Sequence, residues 1–473
     1  MNIIVFGTGG SSVGIEHESI LYGFTIIAFA DNDSAKWNTK REGKLILSPE
    51  EAIKLKYDRV VTATALYHDE MHKQLLDLGV PNEKIYATRE GSQHWTEGCR
   101  DLIYRKHFIE EDSSQLQTEI VSYEVEGKAL DDIASIISAK DHASLVEKLW
   151  TSLLLAERDL EAVPEPYQVG ENWREFLRVT RPEYFSARGA GDLKALGDLL
   201  ANFNRNNLST GILGGKAGFD SYVSHPDMVT GIRQNFNIWS YSVGGAPVDE
   251  LASPPIGNPF GHWINGHIVH PNTFLNHYRG HFAKKLLEDM KRPVIAEIGG
   301  GFGGFAYYAL KFIPNCCYLN FDLPENLLIS SYYLSIAYPD LRIHYYKGEE
   351  DMQSLMDNYD VIMMPHFALP YLPERSVDFF INTISLSEMS YVTINEYFEQ
   401  INRVTDKYFY HENLISNGTG YLYYPIDTFP KLSDFQELSR QPSRWPFFSA
   451  ASIQHCHMEQ LFLRKEKLMM DDK

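Results

Sequence analysis

The sequence predicts an α/β protein with a small strand-and-helix unit at its amino terminus, a helical connector, and a larger parallel sheet toward its carboxyl end. Three observations carry that prediction. The first ninety or so residues alternate short apolar runs with helical periodicity. Residues 293–298 form an apolar run that enters the glycine cluster 299–304 and then a helical pattern at 305–312. The next apolar run, 316–321, stops at an acidic residue, Asp322. At 473 residues the chain exceeds one ordinary core, since cores stop growing at about 250 to 300 residues. Two or three units are therefore expected. Hydrophobic residues at 44% and charged residues at 22% are those of a folded chain.

In the first unit, expected over residues 1–92, strand-like runs fall at 3–6, 25–30, 59–63 and 84–87. Gly7 and Gly9 follow the first strand and Asp31 ends the second, the order found in dinucleotide-binding units. The glycine spacing departs from G-x-G-x-x-G. A nucleotide site at Gly7, Gly9 and Asp31 is one reading; a scaffold or dimerisation module is the favoured one. From 97 to 161 glycines thin out, and Leu145, Leu149, Leu153 and Ala156 recur at helical spacing. Residues 93–165 are accordingly read as a helical connector, ended by Pro164 and Pro166. Residues 166–290 mix helices with a Gly-, Pro- and Asn-rich stretch at 244–273, read as a long functional loop that caps the site.

The last unit, 291–473, opens on the glycine turn. Gly299, Gly301 and Gly303 lack a Cβ, so the main chain can turn sharply and press on a ligand while the following helix offers free N–H groups. Asp322, at the tip of the next strand, can accept hydrogen bonds from both ribose hydroxyls of a nucleoside; it also suits a helix N-cap. A third strand at 359–365 opens into His366 and Phe367. A fourth, from 377, brings 382–388 to the carboxyl edge of the sheet, where open α/β folds bind ligands.

The run Glu297-Ile-Gly-Gly-Gly-Phe-Gly-Gly-Phe-Ala-Tyr-Tyr, with Asp322-Leu-Pro-Glu and Asn382-Thr-Ile-Ser-Leu-Ser-Glu-Met, resembles the motifs of class I methyltransferases. Together with 167–173 and Gly257-Asn-Pro-Phe-Gly, it resembles the bacterial sugar O-methyltransferase family associated with surface polysaccharides, over roughly residues 165 to 465. The resemblance implies a Rossmann-like sheet that binds S-adenosylmethionine. Glu297 and the three glycines would border its methionine portion, Asp322 and Leu323 its ribose, His366 and Phe367 its adenine, with Asn382 alongside. It also implies methylation of a sugar hydroxyl on a glycan or nucleotide-sugar precursor in polysaccharide biosynthesis. The amino-terminal unit resembles the small Rossmann-like modules fused to enzymes of sugar and polysaccharide biosynthesis. Two alternatives stay open: a bifunctional protein whose first unit is an NAD-dependent sugar oxidoreductase or epimerase, and a sugar C- or N-methyltransferase.

Methyl transfer to an alcohol needs a base to take the hydroxyl proton. His411 is the first candidate, because a neutral imidazole is ready at pH 7; Glu388 is the second. Both are expected at the active-site edge. Tyr278 and Arg279 are candidates for the cofactor's carboxylate, since arginine pairs well with carboxylates. His262, His267, His270 and Glu412 are candidates for the acceptor pocket. His277 and His281, four apart, have a spacing that suits zinc, but no cysteine lies nearby and no His-Glu-x-x-His is present, so no metal is expected. A net charge of -20 opposes a nucleic-acid partner. No apolar run approaches the length of a membrane span and only four cysteines are present, so a cytoplasmic protein is expected, with a homo-oligomer left open.

Overall fold

The computed structural model describes residues 2–9, 25–41, 43–64, 67–87, 120–123, 133, 135–224, 232, 235–236, 239–240, 242–348, 350–414, 424–443 and 457–465. The glycine-rich stretch beyond Gly9 and most of the connector before residue 133 lie outside these. The chain divides into two compact units, one taking in Met1–Leu116, Glu412–Asp427 and Ser439–Gln460, the other Gln117–His411, Thr428–Leu438 and Leu461–Lys473.

In the first unit the strands are β1 (Asn2–Phe6), β2 (Thr25–Ala30), β3 (Lys40–Arg41), β4 (Lys44–Leu47), β5 (Arg59–Thr62) and β6 (Ile85–Ala87), in the order β3-β4-β2-β1-β5-β6. Strand β1 lies at the centre, parallel to β2 and β5. Ile3, Ile4, Val5 and Phe6 are all buried, as expected of a parallel strand covered on both faces. Among the described residues two α-helices belong to this unit, α1 (Pro49–Ala52) and α2 (His68–Asp77). Ser48 caps α1 by accepting from the Glu51 N–H at 3.2 Å.

The second unit begins with β7 (Ile120–Tyr123), followed by α3 (Ala139–Leu160), α4 (Glu171–Thr180), α5 (Pro182–Ala190), α6 (Leu193–Ala201) and α7 (Gly215–Ser224). Helix α3 confirms the helical spacing at its end of the connector and buries Val146, Leu149, Leu153 and Ala156. Residues 120–123 depart from that expectation: Ile120-Val-Ser-Tyr, rich in β-formers, forms β7 and pairs antiparallel with β8 (Gly261–Ile264) instead of continuing a helix. Strand β9 (His267–Val269) completes this three-stranded sheet. Part of the expected long loop at 244–273 is thus a hairpin. Asn265 at φ 48° and Gly266 at φ 80° close it, both in the left-handed region that a two-residue type I′ turn requires.

Helix α8 (Pro271–Leu287) leads into the main sheet, formed by β10 (Val294–Ile298), β11 (Cys317–Asp322), β12 (Ile343–Tyr345), β13 (Val361–Pro365), β14 (Val377–Thr383), β15 (Thr405–Leu414), β16 (Phe435–Pro442) and β17 (His457–Arg464). Their order is β12-β13-β11-β10-β14-β15-β17-β16. Its helices are α9 (Gly304–Phe312), α10 (Pro324–Ala337), α11 (Met352–Asn358) and α12 (Tyr391–Val404). Strand β10 is parallel to both β11 and β14. Chain order reverses direction across the sheet at β10, and such a switch point leaves a crevice beyond the carboxyl ends of the strands. This is the α/β class that the sequence predicts. No helix among the described residues is long and apolar enough to cross a membrane.

Candidate cofactor and active site

The glycine turn leaves β10 at that switch point. Gly299, Gly301 and Gly303 have φ of 77°, 58° and 91°. The Gly299 N–H donates to Phe321 O at 2.8 Å, which anchors the turn to β11. Space requires glycine as much as conformation does: a Cβ on Gly299 would lie 2.3 Å from Ser385 Oγ, and one on Gly300 2.3 Å from Asn320 Oδ1. Two segments from the middle of the chain reach the same turn. Ile212 Cγ2 stands 3.1 Å from where a Gly301 Cβ would be, and Asn276 Nδ2, on α8, 2.2 Å from that of Gly304. Residues 299–302 nonetheless remain partly exposed.

Asp322 is buried at the tip of β11 and its carboxylate is held from three sides. Oδ2 accepts from the Gly301 N–H at 2.9 Å; Oδ1 accepts from the Leu323 N–H at 2.7 Å and from Asn326 Nδ2 at 3.0 Å. A carboxylate has about four acceptor positions, so one remains, on Oδ2. The sequence predicts two ribose hydroxyls here; the filled positions leave room for one. Leu323 is the N-cap residue of α10. Burial raises the Asp322 carboxyl above its ordinary value, while these hydrogen bonds and the charge of Arg181 act the other way. Glu297, also buried, receives a hydrogen bond from Tyr318 Oη. Burial pushes it up to about 7 against the pull of Tyr318 and Arg279.

Arg181, between α4 and α5, is the residue that sequence reasoning missed. It is 0% exposed, and its Nη2 donates to Thr210 O at 2.7 Å and to Asn326 Oδ1 at 3.1 Å. Nothing in its surroundings in the sequence marks it.

His366 follows β13, and its Nε2 donates to Tyr167 O at 2.7 Å; burial lowers its pKa, so the ring is neutral. Phe367 is buried edge-on to Tyr346. Tyr278 and Arg279 are both buried on α8, and Arg279 feels the charge of Glu297. Asn382, at the end of β14, donates through Nδ2 to Ile298 O at 3.0 Å and to Ser385 Oγ at 2.7 Å. That network ties the loop after β14 to the base of the glycine turn. Within the loop Ile384 sits at φ 72° with its side chain 38% exposed. A β-branched residue in the left-handed region is strained.

Glu388 ends the short helical turn Leu386–Glu388 in this same loop. Its side chain is accessible, yet the surrounding protein desolvates the carboxyl and pushes it up to about 7. Among the described residues no hydrogen bond or ion pair holds it. His411 is placed differently from the expectation of an open edge. It is buried on β15, its ring centroid 5.3 Å from Phe409, 5.7 Å from Phe429, 5.8 Å from Phe462 and 6.3 Å from Phe398. The alternation of a strand puts Phe409 and His411 on one face, under α12, and this apolar cage is a packing environment. Glu412, next along the strand, is buried and accepts from Ser443 Oγ.

The histidines of the middle region are not one group. Tyr222 Oη bonds His262 Nδ1, and Phe260 links Tyr222 to His270, at centroid distances of 5.0 and 4.7 Å. Burial lowers both His262 and His270 to about 4, so both are neutral. His270 caps α8 by accepting from the Asn272 N–H at 3.1 Å. His267 instead lies 3.4 Å from Asp249. His277 accepts from Trp239 Nε1 at 3.0 Å and is lowered to about 3. No cluster of three metal-ligating side chains occurs among the described residues.

In the first unit Gly7, at φ 103°, donates its N–H to Ala30 O at 2.8 Å. The Asp31 carboxylate is already engaged. It accepts from the Thr8 N–H at 3.0 Å, the Thr8 hydroxyl, the Asp33 N–H at 2.9 Å and Lys36 Nζ at 3.0 Å. Burial alone would raise this group, but those donors outweigh it and its pKa is lowered. Gly9 borders the undescribed stretch, and four protein donors leave Asp31 little capacity for a ribose.

A family model described as C2185-like, N-terminal, matches residues 1–86. No curated protein matches the chain. Among solved structures it is similar to a SAM-dependent methyltransferase from Aquifex aeolicus at 13% identity, covering 41% of this chain and 94% of that one with a TM-score of 0.28. A phosphoethanolamine N-methyltransferase from Haemonchus contortus matches at 12% identity, 40% and 53% coverage and a TM-score of 0.27. An O-methyltransferase family 2 protein from Planctomyces limnophilus matches at 13% identity, 36% and 50% coverage and a TM-score of 0.25.

Proposed function

We propose that the chain is an S-adenosylmethionine-dependent O-methyltransferase whose acceptor is a sugar hydroxyl of a glycan or nucleotide-sugar precursor. One observation carries the reading: a glycine turn with exposed backbone, a buried carboxylate with one open acceptor position, and an unpartnered carboxyl of pKa about 7 converge on the carboxyl edge of one sheet. The residues fit the group. The glycines of the turn leave no room for side chains, which suits close approach of a nucleoside-linked amino acid, and Asp322 Oδ2 suits one ribose hydroxyl. Arg279, buried beside Glu297, would meet the cofactor's carboxylate.

When bound, S-adenosylmethionine supplies an electrophilic methyl group on its sulfonium. The protein's part is to hold the acceptor oxygen in line and to remove its proton. Glu388 does the second: half ionised near neutral pH, it takes the hydroxyl proton as the oxygen gains the methyl, and later releases it to water. His411, enclosed by phenylalanines, is withdrawn from that role. The middle segments that reach the turn, at Ile212 and Asn276, support the reading of residues 166–290 as the cap over the acceptor. With Asp31 engaged by Thr8, Asp33 and Lys36, we assign the amino-terminal unit a scaffolding role and no dinucleotide.

Mass spectrometry of a nucleotide-sugar and glycan pool, after incubation with S-adenosylmethionine labelled in its methyl group, tests the reading. A labelled methyl on a sugar oxygen is expected. Label on carbon or nitrogen, or no binding of S-adenosylhomocysteine in calorimetry, overturns it. Asp322→Ala should weaken that binding by one hydrogen bond to a charged group, ~1.5 to 3 kcal/mol; unchanged affinity removes the ribose role.

A further inference from the structure

A buried guanidinium with no ion pair needs a reason, because leaving water is costly for an ion, even though the fields of Glu325 and Asp322 reach it. Arg181 is such a group. Among the described residues it has no ion pair, and its Nη1 has no hydrogen-bond partner. Its Nε and Nη2 donate to Thr210 O at 3.3 and 2.7 Å, and Nη2 also donates to Asn326 Oδ1 at 3.1 Å. Arginine can only donate, so this contact fixes which end of the Asn326 amide is oxygen. The other end, Nδ2, is thereby turned to Asp322 Oδ1 at 3.0 Å. The charged groups whose fields reach Asp322 are otherwise acidic or neutral: Glu297 and Glu325 at the ends of β10 and α10, and Tyr318 and Tyr397 from β11 and α12. His366, against the Asp322 backbone, is neutral. Arg181 is the cation in this set.

We infer that Arg181 is a positioning residue which, through Asn326, keeps Asp322 ionised and aimed at the cofactor's ribose. The inference rests on Asp322 being the ribose acceptor. Its consequence is a pH dependence. A protonated Asp322 loses acceptor capacity, so affinity for S-adenosylhomocysteine falls as pH drops through the Asp322 value. Without Arg181, burial loses the cation that opposes it, and that fall comes at higher pH.

The test is calorimetric binding of S-adenosylhomocysteine to the full chain between pH 5 and 8.5, for wild type, Arg181→Gln, Arg181→Lys, Asn326→Ala and Asp322→Asn. Arg181→Gln should bind within about threefold of wild type at pH 8.5, with its acidic fall displaced upward by about one pH unit. Arg181→Lys keeps the charge and should lie between the two. Asn326→Ala leaves Arg181 in place and tests the bridge if Arg181→Gln does not fold; its fall should also move upward. Superimposed profiles for wild type, Asn326→Ala and every folded Arg181 variant overturn the inference. Asp322→Asn should be weak and independent of pH. Wild-type binding by that variant overturns the ribose reading itself, a result distinct from failure of the relay.

Discussion

A carboxyl that titrates near 7 is half ionised at neutral pH, and Glu388 combines that value with an accessible position and, among the described residues, no side-chain partner to immobilise it. Turnover should therefore rise with pH along a limb centred near 7, as Glu388 loses its proton and becomes able to accept another. Glu388→Gln should remove that limb and lower turnover by about 10²- to 10⁴-fold with cofactor affinity kept. A limb that survives in the variant would assign the base elsewhere. His411→Phe, in contrast, adds one ring to a cage of four and should leave turnover within a few-fold. Ile384 makes a second residue-scale test. Its φ of 72° costs about 1 to 3 kcal/mol, and little apolar burial offsets that at 38% exposure. Ile384→Asn, which tolerates the left-handed region, should raise the melting temperature. If the strain serves the site, turnover falls in the same variant; a gain in stability with full turnover makes the strain incidental.

At the scale of elements, α8 and α9 approach closely because one residue of α8 has no side chain. A Cβ on Gly280 would stand 2.6 Å from Tyr308 Cβ and 3.0 Å from its carbonyl carbon. Gly280→Ala should force the helices apart, cost about 1 to 3 kcal/mol in thermal unfolding, and disturb the glycine turn that begins α9. An unchanged melting temperature would show that α8 slides without cost. Legibility in the sequence follows the same division between local and distant. Strand β10, its turn and α9 are contiguous, so periodicity and glycine spacing reveal them; Asp322 ends the next apolar run and is found the same way. Ile212 and Asn276 at the turn and Arg181 at Asn326 come to the site from over twenty to over a hundred positions away and carry no local signal, because only tertiary packing gives them a role. The strand at 120–123 was hidden for that reason, its partner lying at 261–264. The β8–β9 hairpin was a different matter: Asn265-Gly266 between apolar pairs is a local sign of a two-residue turn, and the surrounding glycines, prolines and asparagines masked it.

At the scale of the whole molecule, the carboxyls of the site contribute to the pH dependence of stability. Glu297 and Glu388 are each raised to about 7, and Asp322 and Glu325 are raised as well, burial being the largest cause in all four. A carboxyl whose folded pKa exceeds its unfolded one binds more protons in the folded state, so stability falls as pH rises between the two values. Asp31 and Asp360 are lowered, and their stabilisation is lost only as the pH falls below their unfolded value of 3.8. Between about pH 4.5 and 6.5 the buried histidines act the other way: His262, His270 and His344, lowered to about 4, and His277, lowered to about 3, stay neutral in the fold while their unfolded forms take up protons, whereas the raised carboxyls and the net charge of -20 favour the lower pH. The difference in melting temperature between Glu297→Gln and wild type isolates the share of this carboxyl, and it should grow as the pH is raised from 5.5 to 8. Glu297→Gln, which can still accept from Tyr318, should be more stable than wild type at pH 8 by an amount on the order of 1 to 3 kcal/mol, an advantage that shrinks as the pH falls toward 5. Loss of the Arg279 interaction works against this gain, but burial outweighs it, since the carboxyl sits above its ordinary value despite that cation. A variant less stable than wild type at pH 8 would reverse that order and make the Glu297–Arg279 pair a net support of the fold.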